Sequence, residues 1–369
     1  MTNSSGKVVH FSTVHPATDA RVFHKECRSL HDAGFDVTLY ARCTADAVVD
    51  GVIVRSVGEF SGRIRRIAVA PFILIRRLLR ERADLYHFHD PELLPLGIVL
   101  RIMGKRVIYD AHEWVRGDVG SKPYLSRPVA KALSSVAAFV EQVAGRLLSH
   151  VIAATPFIAS QFPDGRVTVI HNYPDLAELG GDPGAQWSRR EFAAGYVGGL
   201  NEERCGHQLL EAIDIAATAR PNMKLLIAGP VDDGLDPVKH RAVDYLGVID
   251  RAGVAALLGR IRCGIVLLSD DRNFRDSLPT KFFEYLAAGV PVVVSSSARL
   301  VADLALEVGC GVIVDANDPQ EIAQAMGRLV ETEDEAERMG QQGRAAVLAR
   351  FNWSTESDRL VQLYRQLLS

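Results

Sequence analysis

Along the first half of the chain, short apolar runs rich in β-branched and aromatic residues alternate with longer stretches of helical spacing, and Gly, Pro, Asn or Asp separates them. The runs predict strands at residues 8–12, 35–40, 52–57, 85–89, 106–109, 151–154 and 167–170, with helices at 21–33, 64–82, 93–103, 128–148 and 156–161. The second half repeats the alternation. Its predicted strands are 193–197, 224–228, 242–246, 263–268, 290–294 and 311–314, and its helices 207–219, 254–259, 302–307, 319–331, 334–350 and 356–368. Strands that alternate with helices form parallel sheets covered on both faces. The fold class is therefore α/β, with two doubly wound domains: 1–172, a Gly-, Pro- and Asp-rich linker over 173–190, 191–350, and a tail helix within 351–369.

Composition narrows this without changing it. A chain of 369 residues, 48% hydrophobic and 24% charged, carries enough apolar surface for two cores. No apolar run reaches the roughly 20 residues of a membrane span, and Met1 to Lys7 lacks the apolar centre of a signal peptide, so a cytoplasmic protein is expected. The five cysteines are scattered without a Cys-x-x-Cys pair, which argues against a disulfide framework or a structural zinc ribbon. Formal charge is +6 over residues 1–171 and −9 over the remainder. Much of the basic excess lies in the helix from Ile64 to Arg82, around Ile67, Val69, Phe72, Ile73, Leu78 and Leu79. Such a helix is either a peripheral contact with an anionic membrane or a solvated face over the core. No nucleic-acid partner is expected.

Candidate chemistry gathers at the carboxyl ends of the strands, where open α/β sheets bind ligands. In the first half these ends carry His15, Asp19, His89, Asp90, Asp110, His112 and Glu113. In the second half the stretch from Ser277 to Ser295 is the most informative. Pro279 suits a helix start, and Gly289 followed by Pro291 suits its end. Lys281, Glu284 and Ala288 then share one face. Free N–H groups followed by a Lys make an anion site, and Glu284 is placed to accept hydroxyl donors. The same features also fit a surface helix with a Lys–Glu pair.

The run Pro-x-Lys-x-x-Glu-x-x-Ala-x-Gly-x-Pro-Val resembles the nucleotide-sugar signature of the family 4 (group 1) retaining glycosyltransferases. That resemblance implies the GT-B fold: two Rossmann-like domains facing across a cleft, with the segment after Trp353 crossing back to the first. It also implies transfer of a sugar from a nucleotide-diphosphate donor to an acceptor hydroxyl, in bacterial polysaccharide, glycolipid or glycosylated-metabolite biosynthesis, with no cofactor and no required metal. Asp276-x7-Glu284 stands where the family carries Glu-x7-Glu. Glu284 is thus implied to bind the ribose and Asp276, one methylene shorter, to lie near the sugar. Gly198-Gly199 through Arg204 resembles the family's diphosphate loop. Many relatives have Arg where Gly199 stands, so the phosphates are expected on Arg204, Lys281 and backbone N–H groups, with Leu278, Thr280 and Val248 completing the donor site. Tyr109-Asp110-Ala111-His112-Glu113 resembles a strand-plus-His element, which puts His112 beside the transferred sugar. His15-Pro16-x-x-Asp19-x-Arg21 resembles a subgroup's first loop, and His15, Asp19, His89 and Asn172 are expected on the acceptor side. Asp270-Asp271 reads as a loop, not as a metal motif. Three other readings stay open: a sugar-nucleotide 2-epimerase of the same fold, a non-catalytic nucleotide-sugar binder, and a metal-dependent hydrolase built on His87-x-His89-Asp90 and Asp110-x-His112-Glu113.

Overall fold

The computed structural model describes residues 6–58, 62–112, 114–120, 126–177, 187 and 190–369. Glu113 and most of the predicted linker lie outside them. The chain divides into two compact units, Met1–Asn172 with Ser354–Ser369, and Tyr173–Trp353.

The first unit is built on strands β1 (Lys7–Pro16), β2 (Asp36–Arg42), β3 (Ala47–Val49), β4 (Val52–Ser56), β5 (Leu85–Phe88), β6 (Arg106–Ala111), β7 (His150–Ala153) and β8 (Val167–Val169). They form one sheet in the order β3-β4-β2-β1-β5-β6-β7-β8, parallel except for β3 against β4. The second unit has β9 (Phe192–Val197), β10 (Leu225–Ala228), β11 (Val243–Tyr245), β12 (Ile261–Val266), β13 (Val292–Ser295) and β14 (Gly311–Val314), in the order β11-β10-β9-β12-β13-β14. That is a doubly wound sheet whose order reverses between β9 and β12. In the first unit the reversal falls between β1 and β5. A crevice opens at the carboxyl ends of the strands on either side of such a reversal, and the candidate residues of each unit lie there.

The sheets are buried as their composition dictates. Val8, Val9 and Phe11 of β1, Val292 to Val294 of β13 and the helix residues Phe282, Phe283 and Leu286 have almost no exposed surface. Removing that apolar area from water is the main stabilising term, at about 25 cal/mol per Å².

Three local features differ from the sequence expectations. The predicted helix over 21–33 is a π-helix, Ala20–Cys27, continued by a short α-helix, Arg28–Asp32. Its i to i+5 bonding brings residues five apart over one another, and Arg21 Nε sits 3.0 Å from Glu26 Oε1. Both charged side chains are buried, so tertiary pairing rather than periodicity selects the wider turn. Strand β3 is the second difference. Asp50 and Gly51, with φ of 48° and 80°, close a two-residue hairpin onto β4, and an Asp-Gly pair between β-branched residues is its sequence signal. The third is a short helix at Val115–Gly120. The signature helix runs Thr280–Ala287, and Gly289 ends it at φ 62°.

Candidate active site

In the first unit, Asp110 is the centre. It leaves β6 with both carboxylate oxygens on the Arg21 guanidinium, Nε to Oδ2 at 2.9 Å and Nη2 to Oδ1 at 2.8 Å. His89 Nδ1 lies 3.0 Å from Oδ2 and His112 Nδ1 3.5 Å from it. Burial opposes ionisation of Asp110, but the Arg21 charge, with the histidines' hydrogen bonds, holds it well below the usual carboxylate range. The same burial also works against the Arg21 charge, and Asp110 and Glu26 outweigh it, keeping Arg21 protonated. For His89 desolvation wins and the imidazole is pushed down, despite Asp110.

His15 and Asp19 form the outer edge of this cluster. His15 Nδ1 is 2.9 Å from Asp19 Oδ2, and its ring meets that of His112 edge-on at 5.2 Å. Desolvation would lower the His15 pKa, yet Asp19, Asp90 and Asp110 together raise it. Asp19 also caps the π-helix by accepting from the Arg21 and Val22 N–H groups, both at 2.9 Å. Asp90 is consumed structurally: it accepts from Ser12, Thr13 and the Val14 N–H. Asn172 Oδ1 accepts a 2.6 Å hydrogen bond from the buried Lys25 ammonium. His15, Asp19, His89 and His112 are thus brought together around Asp110, and Asn172 joins the same π-helix through Lys25. The hydrolase grouping is assembled only in part: His89, Asp110 and His112 offer ligand atoms within 4.8 Å of one another, Asp90 is engaged by Ser12, Thr13 and Val14, and Glu113 lies outside the described residues. His87 and His89 do share a face, but they meet His10 and Glu26 instead.

In the second unit, β9 ends at Val197 and turns sharply at Gly198, φ 116°. A Cβ on Gly229, φ 137°, would collide with the Gly198 carbonyl; only glycine permits this approach of two strand ends. Tyr285 pins the turn: its hydroxyl accepts from the Val197 N–H at 3.0 Å and donates to the Gly195 carbonyl at 3.3 Å. Tyr196 donates to the Gly199 carbonyl at 2.6 Å. Lys281, in the first turn of its helix, lays its ammonium 3.8 Å from the centroid of the Tyr196 ring, beside Gly198. Asn201 caps the turn Glu202–Arg204 through the Arg204 N–H, and the Arg204 guanidinium lies 5.2 Å over the Phe274 ring. Desolvation, and then the Arg204 charge, pulls Lys281 down to about 7 in spite of Glu284.

Glu284 is buried and accepts a 2.7 Å hydrogen bond from Arg251 Nη1. The Lys–Glu pair that helical spacing suggests is therefore replaced by two separate contacts, Lys281 on Tyr196 and Glu284 on Arg251. Asp276 ends the short helix Arg272–Arg275 and is partly buried. Leu278 packs on the apolar core, Thr280 opens the signature helix, and Val248 is 77% exposed. Asp270 pairs with Arg275, and Asp271 caps the helix it precedes. The sequence reading missed Arg251, Tyr196 and Tyr285 here, and Glu26, His10 and Tyr364 in the first unit.

Known proteins give the same outline. A family model described as Glycosyl transferases group 1 matches residues 185–346, and one described as Glycosyltransferase Family 4 matches 20–178. A D-inositol 3-phosphate glycosyltransferase from Thermobispora bispora is 24% identical over 92% of this chain and 88% of its own length. The one from Corynebacterium urealyticum is 29% identical over 47% of this chain, and the match spans less than half, 42%, of that relative. Among solved structures, the sucrose-phosphate synthase of Thermosynechococcus elongatus superposes with a TM-score of 0.75 at 18% identity, covering 98% of both chains. The Anabaena protein HepE, solved with UDP and glucose, gives 0.71 at 16% identity, covering 97% of this chain and 99% of its own.

Replacing Asp110 by Asn removes the bidentate carboxylate from the buried Arg21 guanidinium and leaves only Glu26 beside it. The expected cost is about 3–5 kcal/mol, read as a lower urea midpoint at unchanged slope. A loss below about 1 kcal/mol would show that Asp110 is not the centre of this cluster.

Proposed function

The chain belongs to family 4 (group 1) of the glycosyltransferases, with the GT-B fold, and from that premise we propose that it transfers a sugar from a nucleoside-diphosphate donor to an acceptor hydroxyl with retention of configuration. The observation that carries this reading is the turn at Gly198, where the Lys281 ammonium, the Arg204 side chain and the start of the helix Thr280–Ala287 gather on one strand end. Two cations beside the positive end of a helix suit a leaving diphosphate, whose negative charge grows as the glycosidic bond breaks. Lys281 is held near neutrality without ligand, so an arriving diphosphate recovers a charge–charge attraction that the empty site lacks. Glu284, oriented by Arg251, accepts from the ribose hydroxyls. Asp276 and His112 attend the sugar as it transfers, and Leu278, Thr280, Val248 and Gly199 line the donor's path. The two cations supply the charge neutralisation at the diphosphate, and no metal is needed for this step. His15, Asp19, His89 and Asn172 belong to the acceptor side. Inositol phosphate is the first acceptor to try, because the D-inositol 3-phosphate glycosyltransferases are the chain's relatives.

The acceptor is also proposed to be met at a membrane. No helix of the described residues is long and apolar enough to cross one. The helix Arg63–Glu81 nevertheless exposes Ile67, Val69, Phe72 and Ile73 between arginines, and neighbouring helices Leu94–Ile102 and Arg127–Leu147 expose Ile102, Val136 and Phe139. Apolar side chains among basic ones suit an anionic bilayer surface. Vesicles rich in phosphatidylglycerol should bind the protein, and Phe72→Glu with Arg76→Glu should weaken binding at least ~10-fold. Binding indifferent to anionic lipid would overturn the membrane reading.

For the transfer reaction, Lys281→Ala should lower kcat/KM by roughly 10²-fold, and Glu284→Ala should raise the donor KM by about 10-fold or more. Unchanged nucleotide binding in both variants would overturn the donor site. Turnover of donor without any acceptor would favour the epimerase. A thermal-shift panel of UDP-, GDP-, ADP- and dTDP-sugars identifies the base. A bound diphosphate raises the Lys281 pKa above its free value of about 7. Nucleotide binding should therefore take up a proton above pH 7 and weaken by up to about tenfold per pH unit as pH rises. Calorimetry in buffers of different ionisation enthalpy measures that proton, and Lys281→Met should abolish it.

A further inference from the structure

Beneath the Asp110 cluster lies a group of side chains of which the proposed transfer reaction involves only His89. His10 of β1 stands opposite His87 of β5 in the parallel register, and His89 follows on the same face of β5. The π-helix brings Glu26 against them. All four residues are buried to the last percent, and each offers a nitrogen or oxygen within 4.8 Å of those of the others.

We propose that His10, Glu26, His87 and His89 bind one divalent transition-metal ion, of which zinc is the best match to three imidazoles and a carboxylate. Three observations support this. First, the cluster is incomplete as a hydrogen-bond network: Glu26 Oε2 and His87 Nε2 are buried without a hydrogen-bond partner, and Glu26 Oε1 has only its ion pair with Arg21. In proteins generally most buried polar atoms are satisfied, and an orphan costs about 1–3 kcal/mol; here two sit face to face in one pocket. Second, the cluster holds an oxygen ligand beside its imidazoles: Glu26 lies against the Arg21 guanidinium that Asp110 already grips on two sides, which leaves its second oxygen for a cation.

Third, the surrounding side chains orient the rings as metal sites require. The Tyr364 hydroxyl lies 2.7 Å from His87 Nδ1 and 2.9 Å from His10 Nε2, while Asp110 takes His89 Nδ1. His10 Nδ1 and His89 Nε2 then point at each other, 3.1 Å apart. Ligand atoms around a tetrahedral zinc sit roughly 3.3 Å apart, so no pair has to close by more than about 1.5 Å. A second grouping, His89, Asp110 and His112, shares His89. Its carboxylate is already engaged by Arg21, which leaves it the weaker claimant. A site with no exposed surface takes its ion as the chain folds, so the metal stabilises the first unit and is distinct from the donor chemistry of the second.

The test is the metal content of untagged protein by plasma mass spectrometry, as purified and after chelation in denaturant and refolding with zinc. The expected result is one zinc per chain, falling to under about a tenth in a Glu26→Gln, His87→Gln double variant and unchanged in His112→Gln. Cobalt supplied during refolding should give the visible d–d bands of a four-coordinate site in the wild type, a readout that does not depend on any variant folding. Wild-type protein empty after both treatments, zinc retained by the double variant, loss in His112→Gln alone, or the absence of those cobalt bands would each overturn the proposal.

Discussion

The first unit depends on one buried ion pair, Arg21 with Asp110. Taking a carboxylate and a guanidinium out of water costs several kcal/mol per ion, which is recovered only when geometry is good and the remaining donors and acceptors are satisfied. Here the pairing is bidentate and both partners are almost fully buried. The remaining Asp110 interactions fall to His89 and His112, and the remaining Arg21 N–H reaches the Ile170 carbonyl at 3.2 Å. That arrangement fixes the end of β6 against the start of the π-helix. It explains why the helix winds with a wider turn, since a 3.6-residue repeat would carry Arg21 and Glu26 to different sides. The histidines that the Proposed function uses, and those it does not, are ordered by the same carboxylate.

The second unit solves a similar topological problem with the opposite polarity. Its sheet reverses order at the same relative position, but the strand end there carries cations and aromatic rings in place of an acidic hub. Lys281 rests on the Tyr196 ring and Glu284 is handed to Arg251, so the two charges of the signature helix do not neutralise each other. Each remains available to a ligand of opposite character. The glycines at 198 and 229 let the two strand ends touch, and Tyr285 locks the turn from below.

Much of this was legible in the sequence. Strand–helix alternation located nearly every element within a few residues, because both sheets are buried on both faces and therefore read as short β-branched runs. The spacing of Lys281 and Glu284, and the polar residues at the ends of β1, β5 and β6, located the candidate residues. What was not legible depends on contacts between distant positions. Tyr364 meets His10 across 354 residues of chain, and no local pattern marks it. Arg251 looks like an ordinary first residue of a short helix until Glu284 is placed beside it. The π-helix is hidden because its apolar spacing is close to an α-helix's, and only the burial of Arg21 and Glu26 tells them apart. The hairpin at Asp50 was an available signal, since Asp-Gly between valines is a strong one.

The bridge from Tyr364 to two histidines also bears on the order in which the chain matures. Domains generally fold as they emerge from the ribosome, amino-terminal first. Here the segment Ser354–Ser369 is part of the first unit, so its hydroxyl reaches His10 and His87 only after the whole of Tyr173–Trp353 has been synthesised. Until then the histidine cluster lacks the group that orients two of its rings. The second unit, though its strands come later, is made in full before that segment. The unit that comes earlier in the chain is thus completed after the later one, and a chain interrupted before Ser354 would leave its polar interior open.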